Sequence, residues 1–132
     1  MSTITFAGNL AADPELRFTP SGRAVARLTV IENRRRRGED GQWQDAEPNV
    51  FRVQVWGSAA QNVAESVGKG DRVHVTGSVA TDRWQDKESQ EDRTAQYVKA
   101  DEVSVSLRYH IAHATKAART HTEAQDTQDH ED

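Results

Sequence analysis

Arg52, Gln54 and Trp56 recur at every second position of Asn49–Gly57, and Val50 shares their phase. A strand sends alternate side chains to opposite faces. One face of this segment therefore carries a guanidinium, an amide and an indole, and the other carries Phe51, Val53 and Val55. An indole offers a flat π-surface to a nucleobase, and a guanidinium beside it holds phosphate oxygens. Trp84 ends a second strand-like run, Arg72–Trp84, with Arg83 next to it. Arg34, Arg35, Arg36 and Arg37 are consecutive cations in a polar stretch. Such a run attracts a polyanion, with a salt dependence of about 0.7 per phosphate neutralised on a single strand. The structural alternative for Trp56 and Trp84 is a packed sheet aromatic or a subunit contact. For the arginine run it is a solvated loop. Trp43, between Gln42 and Gln44, either covers the fold or touches a ligand.

No constellation for catalysis accompanies these groups. Ser, His and Asp all occur, but none stands in a nucleophile elbow, and there is no phosphate-binding loop of glycine, lysine and serine or threonine. His110 and His113 are three apart, without a third ligand or carboxylate to complete a metal site. The expectation is a binding protein, not an enzyme, with no metal and no cofactor.

The elements that must position the aromatic face are mostly strands. Ile4–Leu10 reads as a first strand, interrupted by Asp13-Pro14-Glu15 and resumed at Leu16-Arg17-Phe18. Thr19-Pro20-Ser21-Gly22 is a turn. Arg23–Ile31 alternates, with Ala24, Ala26, Leu28 and Val30 on one side and Arg23, Val25, Arg27, Thr29 and Ile31 on the other. Glu32–Ala46 reads as a long polar loop. Ser58–Val67 reads as a helix with an apolar stripe at Ala60, Val63, Ala64 and Val67. Ser58 and Gln61 suggest a capping box, and Gly68 a C-terminal stop. Arg72–Trp84 and Arg93–Leu107 are the last strands, joined by the polar tip Gln85–Asp92. Gly77 suggests a bulge, and the apolar phase of the last strand slips between Ala100 and Val103. Strand, strand, strand, helix, strand, strand is the order of an all-β, five-stranded OB barrel with one helix between strands 3 and 4. A β-sandwich is the rival.

The totals agree. The chain of 132 residues suits one domain, with hydrophobic content of only 35%. Its net charge of −4 is unevenly placed: residues 1–119 hold all 17 Lys and Arg against 16 acids, and residues 120–132 hold five acids and no Lys or Arg. The barrel domain is expected over 1–108, an extension over 109–119 and a disordered acidic tail over 120–132. The extension is a short helix, an added strand or a frayed end. No cysteine excludes disulfides and thiolate chemistry. The start does not look like a signal peptide, and no apolar run is long enough to span a membrane. The composition fits a reducing, cytoplasmic compartment.

These residues also carry a resemblance. Ile4-Thr5-Phe6-Ala7-Gly8-Asn9-Leu10, Asp13-Pro14-Glu15-Leu16-Arg17-Phe18 and Pro20-Ser21-Gly22 resemble the opening of bacterial single-stranded DNA-binding proteins. The likeness continues through Ala24–Val30, Phe51–Gly57, Ala64–Val79 and Arg83-Trp84, covering about residues 3–108. Gly41-Gln42-Trp43 and Ser106-Leu107-Arg108-Tyr109 resemble the actinobacterial branch. The resemblance implies an OB-fold homotetramer that coats single-stranded DNA without sequence preference, in replication, repair, recombination or DNA uptake. It implies base stacking at Trp56 and Trp84, backbone contact at Arg52, Lys69 and Arg83, and a subunit-clamping strand after the barrel.

Two aromatic positions of the family hold Arg36 and Val50 here. Arg36 can still stack through its guanidinium plane, with Arg34, Arg35 and Arg37 meeting phosphate, whereas Val50 loses a platform. The tip also departs, because Asp86, Glu88, Glu91 and Asp92 outweigh Lys87. Relatives that recruit repair and replication enzymes end in an acidic tip closed by Asp-Ile-Pro-Phe or similar. This sequence ends His130-Glu131-Asp132, so the resemblance does not carry over recruitment through that tip. The alternative function is an OB-fold adaptor or oligomerisation subunit that binds nucleic acid weakly.

Overall fold

The computed structural model describes residues 2–118. The expected acidic tail, 120–132, lies outside the described residues. Six strands and one helix follow in the order β1 (Thr3–Leu10), β2 (Glu15–Phe18), β3 (Ala24–Arg37), β4 (Trp43–Trp56), α1 (Ser58–Ser66), β5 (Arg72–Gln85) and β6 (Asp92–Val105). They form one sheet, β1-β5-β6-β4-β3-β2, and a further β1–β3 pairing closes it into a ring. This is the OB fold. The resumed segment Glu15–Phe18 forms a separate short strand on the edge of β3, so the helix stands between β4 and β5 in chain order.

Alternation builds the core. Ala24, Ala26, Leu28 and Val30 of β3, Val53 and Val55 of β4, Val73 and Val75 of β5 and Val98 of β6 are buried together. Phe6 and Phe51 stack with ring centroids 4.0 Å apart. Leu28, Val53 and Val98 are ladder neighbours across three strands and are all nearly inaccessible. Leu28→Ala removes a side chain that cannot be replaced by water. It should cost about 2–5 kcal/mol, read as a lower urea midpoint at unchanged slope.

The helix closes one end of the ring through Ala60, Val63 and Val67. Its capping differs from the sequence expectation. Gly57, not Ser58, is the N-cap, at φ 78 and ψ −149, and no side-chain cap bond forms. That backbone conformation is essentially restricted to glycine, and it lets the Gly57 N–H donate to Ala24 O at 2.9 Å. At the other end Val67 is extended, and the left-handed residue is Gly70, at φ 89, rather than Gly68. The Gly68 N–H donates instead to Asp71 Oδ2 at 2.9 Å.

The largest departure concerns the stretch expected as a loop, Glu32–Ala46. It is a two-stranded arm, with Arg34–Arg37 laddered against Trp43–Ala46 and only Gly38–Gln42 at the tip. Polar composition hid it, because an arm projecting from a barrel has no core to face and shows no apolar alternation. Pro48 marks the junction. Between Glu32↔Asn49 and Arg34↔Ala46, β4 carries two residues, Glu47 and Pro48, against one on β3. Proline has no N–H for the ladder and is tolerated at such a bulge. A second bulge lies on β6, where Asp101 is extra between Gly77↔Ala100 and Thr76↔Glu102. It accounts for the phase slip read in the sequence.

The segment after β6 forms neither helix nor strand through Ala118. It is held at its start by Ser106 N–H to Arg72 O, 3.0 Å, and by His110 Nε2 3.4 Å from Asp71 Oδ1. Leu107, Tyr109 and Ile111 are exposed along it.

Candidate nucleic-acid interface

Two hairpin arms leave the same end of the barrel. β4 and β6 are parallel neighbours at Val53↔Val98 and Gln54↔Lys99, and each runs from its own arm tip into the barrel. Beyond those pairs the arms part. A cleft of about 370 Å³ opens there, lined by Arg27 and Thr29 of β3, Arg52 and Gln54 of β4, and Asp82 and Tyr97 of the other arm.

Ladder partners in an antiparallel pair share a face, so the register assigns every side chain. Trp56↔Val25, Gln54↔Arg27, Arg52↔Thr29 and Val50↔Ile31 all point away from the core. Ser78↔Lys99, Ala80↔Tyr97, Asp82↔Ala95 and Trp84↔Arg93 do so on β5 and β6. Arg27, Gln54, Lys99 and Ser78 thus form one lateral row across four strands. Trp84 is 49% exposed and Val50 58%. Trp56 is half-buried, and the Arg23 guanidinium carbon lies 4.8 Å from its ring centroid.

Trp43 joins this face through the Pro48 bulge. Simple alternation would align it with Phe51 and Val53 in the core. The extra residue reverses the phase, so Trp43↔Arg37 and Asp45↔Arg35 lie on the side of Arg52 and Trp56. Trp43 is 62% exposed.

The four arginines do not act as one patch. Arg35 and Arg37 lie on the face of Trp43, with Arg35 Nε 3.9 Å from Asp45 and Arg37 Nε donating to Gly41 O at 3.0 Å. Arg34 and Arg36 take the opposite face of the arm, beside Ala46 and Gln44. Arg83 likewise lies on the opposite face of its arm from Trp84 and pairs with Thr94. Lys69 is tied to the cleft wall by its backbone, since its N–H donates to Asp13 Oδ1 at 2.8 Å and Asp13 lines the cleft.

The outward face also holds cations that the sequence argument did not single out, among them Arg23, Arg27, Arg93 and Lys99. The signal for Arg23 and Arg27 was present, because the alternation read over Arg23–Ile31 sets both opposite Ala24, Ala26 and Leu28. Lys99 was hidden by the phase slip of β6. Arg93 lies 3.3 Å from Asp86 and 4.0 Å from Glu91, so the acidic tip is partly neutralised beside Trp84.

The Single-strand binding protein family matches residues 1–106 of this chain. The chain belongs to that family. A single-stranded DNA-binding protein of Mycolicibacterium smegmatis is 48% identical over 120 residues, covering 90% of this chain and 72% of its own length. One of Mycobacterium tuberculosis is 47% identical, covering 90% and 73%. One of Mycobacterium leprae is 46% identical, covering 90% and 71%. The match to the single-strand binding family spans the whole closed sheet, including both arms and the cleft between them.

Proposed function

We propose that this chain binds single-stranded DNA without sequence preference and protects it during replication, repair, recombination or DNA uptake, in the cytoplasm with the nucleoid. The observation that carries the reading is the outward face: Trp56, Gln54, Arg52 and Trp43 on one arm and its base, and Trp84 on the other, flanking a cleft with Arg27 and Arg52 in its lining. Every base has a π-face, so stacking on indoles tolerates any sequence. Guanidinium forks hold phosphates in two-point contact. Trp56 and Trp84 are the base platforms, with Trp43 as a third. Arg52, Lys69, Arg35 and Arg37 meet the backbone, and Gln54 supplies a neutral hydrogen-bonding edge. Arg34, Arg36 and Arg83, on the reverse faces, serve a strand that wraps around the arms; Arg36 stacks there. The names of the relatives support this reading, and the protein acts by binding, not catalysis.

The barrel, 1–108, is the DNA-binding domain. It assembles as a homotetramer, and the exposed Leu107, Tyr109 and Ile111 clamp a neighbouring subunit. Light scattering tests the assembly; a monomer at micromolar concentration refutes it.

Tryptophan fluorescence during titration with oligo-dT at several salt concentrations tests the function. Strong quenching that weakens with salt is the expected result. No quenching at low salt leaves the OB-fold adaptor. Val50 provides a gain-of-function check, because it is exposed on the outward face two positions from Arg52. Val50→Trp should tighten oligo-dT binding by about 1–3 kcal/mol per subunit, measured as a lower Kd at fixed salt. An unchanged Kd would place the bound strand away from β4.

A further inference from the structure

Trp56 differs from the other two indoles. Trp43 and Trp84 are 62% and 49% exposed, whereas Trp56 is half-buried beneath Arg23, whose guanidinium carbon is 4.8 Å from the ring centroid. This is cation–π distance. The ring that alternation aims outward is therefore a covered platform.

We propose that Arg23 is the lid of a nucleotide subsite on Trp56: a base of single-stranded nucleic acid takes the guanidinium's place on the indole, and Arg23 turns to the phosphate of that nucleotide. This rests on the reading of Trp56 as a base platform given above.

The local structure suits the exchange. The backbone of Arg23 is pinned: its N–H donates to Thr19 Oγ1 at 3.1 Å, and the Thr19 N–H donates to its carbonyl at 2.8 Å. Gly22 N–H donates to Thr19 O at 2.8 Å across the same turn. Movement is thereby confined to the side chain, whose long stem reaches several directions from one anchored Cα. The surroundings suit the destination as well. The next outward position but one on β3 is Arg27, laddered to Gln54, and Lys99 continues that row. A guanidinium leaving the ring stays within a cationic strip where a phosphate chain is already favoured. Base–indole stacking is the stronger contact at an exposed site, and the fork gains a two-point phosphate contact. The phosphate contact adds to the stacking gain and draws the exchange further toward the base.

The lid gives two signatures that loss of a merely structural residue does not. Arg23→Ala uncovers the ring, so acrylamide should quench Trp56 more steeply; a Trp43→Phe, Trp84→Phe background isolates that signal. It also removes one phosphate contact, so the slope of log affinity for oligo-dT against log salt should become shallower by about 0.7. The two effects oppose each other. The variant should bind more weakly than wild type at low salt and severalfold more tightly at high salt, and the two salt curves should cross. Arg23→Lys keeps the charge and should keep the slope. Thermal melts of both variants check the fold, and the two bonds between Thr19 and Arg23 use the Arg23 backbone, which the substitutions keep. Parallel salt curves, or unchanged acrylamide quenching, overturn the lid. If Trp56→Ala binds oligo-dT as tightly as wild type, the platform reading itself fails. If Trp56→Ala weakens binding while Arg23→Ala leaves slope and quenching unchanged, only the lid fails.

Discussion

Trp56→Ala and Trp84→Ala are each expected to weaken oligo-dT binding by about 1–3 kcal/mol per subunit site, roughly 5- to 150-fold at fixed salt. The two indoles stand apart, Trp56 at the barrel end of β4 and Trp84 on the β5–β6 arm, and share no ladder partner, Trp56 pairing with Val25 and Trp84 with Arg93. Their losses should therefore add in the double variant, reaching about 2–6 kcal/mol. The Trp56 loss should fall toward the lower end, because a base must first displace Arg23. The salt slope should change little in either variant, since no phosphate contact is removed. That separates them from Arg52→Ala, which should flatten the slope. Fluorescence anisotropy of a labelled oligo-dT at three salt concentrations reads all of this without depending on the indoles. A double variant that binds within twofold of wild type would refute stacking as the source of affinity.

Gly77→Ala is expected to unfold the barrel or bring it close to unfolding. A Cβ at Gly77 would lie 2.2 Å from Lys99 O and 2.9 Å from Ala100 Cα. Both atoms belong to the backbone of the neighbouring strand, so no rotamer relieves the clash. The site is buried beside the β6 bulge, where Gly77↔Ala100 follows the register shift. Relief requires β5 and β6 to separate where each also pairs with another strand. The loss should exceed about 3 kcal/mol, a large part of the 5–15 kcal/mol typical of a domain. Circular dichroism melts would show it as a transition lowered by roughly 10 °C or more. A wild-type melt for Gly77→Ala would mean that the two strands are not held this closely.

Much of this architecture was legible from alternation alone. Phe51, Val53 and Val55 against Arg52, Gln54 and Trp56 identified both faces of β4, and the ladder agrees. Gly77 and the slip after Ala100 announced the β6 bulge. What escaped is what alternation cannot encode. The β3–β4 arm has no core, so its polar residues read as a loop. The Pro48 bulge reverses the phase, so the side taken by Trp43 could be assigned only once the register was known. The split of Arg34–Arg37 between two faces follows from strand structure that a charge run conceals. The helix cap misled for another reason: Ser58 has the right chemistry, but the chain enters the helix through a conformation that Gly57 alone can take. The Arg23–Trp56 contact joins residues 33 positions apart and depends on the β3–β4 register.

The closure of the ring has a consequence for how the protein is made. β1 finds its long partner in β5, Thr3 opposite Ser78 through Asn9 opposite Arg72, and it meets β3 at only two positions. A ribosome adds roughly 5–20 residues each second. Several seconds therefore pass between the emergence of the first strand and that of the strand it seals against. During that interval β2, β3 and β4 can assemble as a meander, while the leading strand waits with its main hydrogen-bonding edge unfilled. Its Thr3, Thr5 and Asn9 give the waiting strand one polar face, a modest safeguard against burial on the wrong chain. Folding of the nascent protein should accordingly finish late, in one step, when the second hairpin arrives.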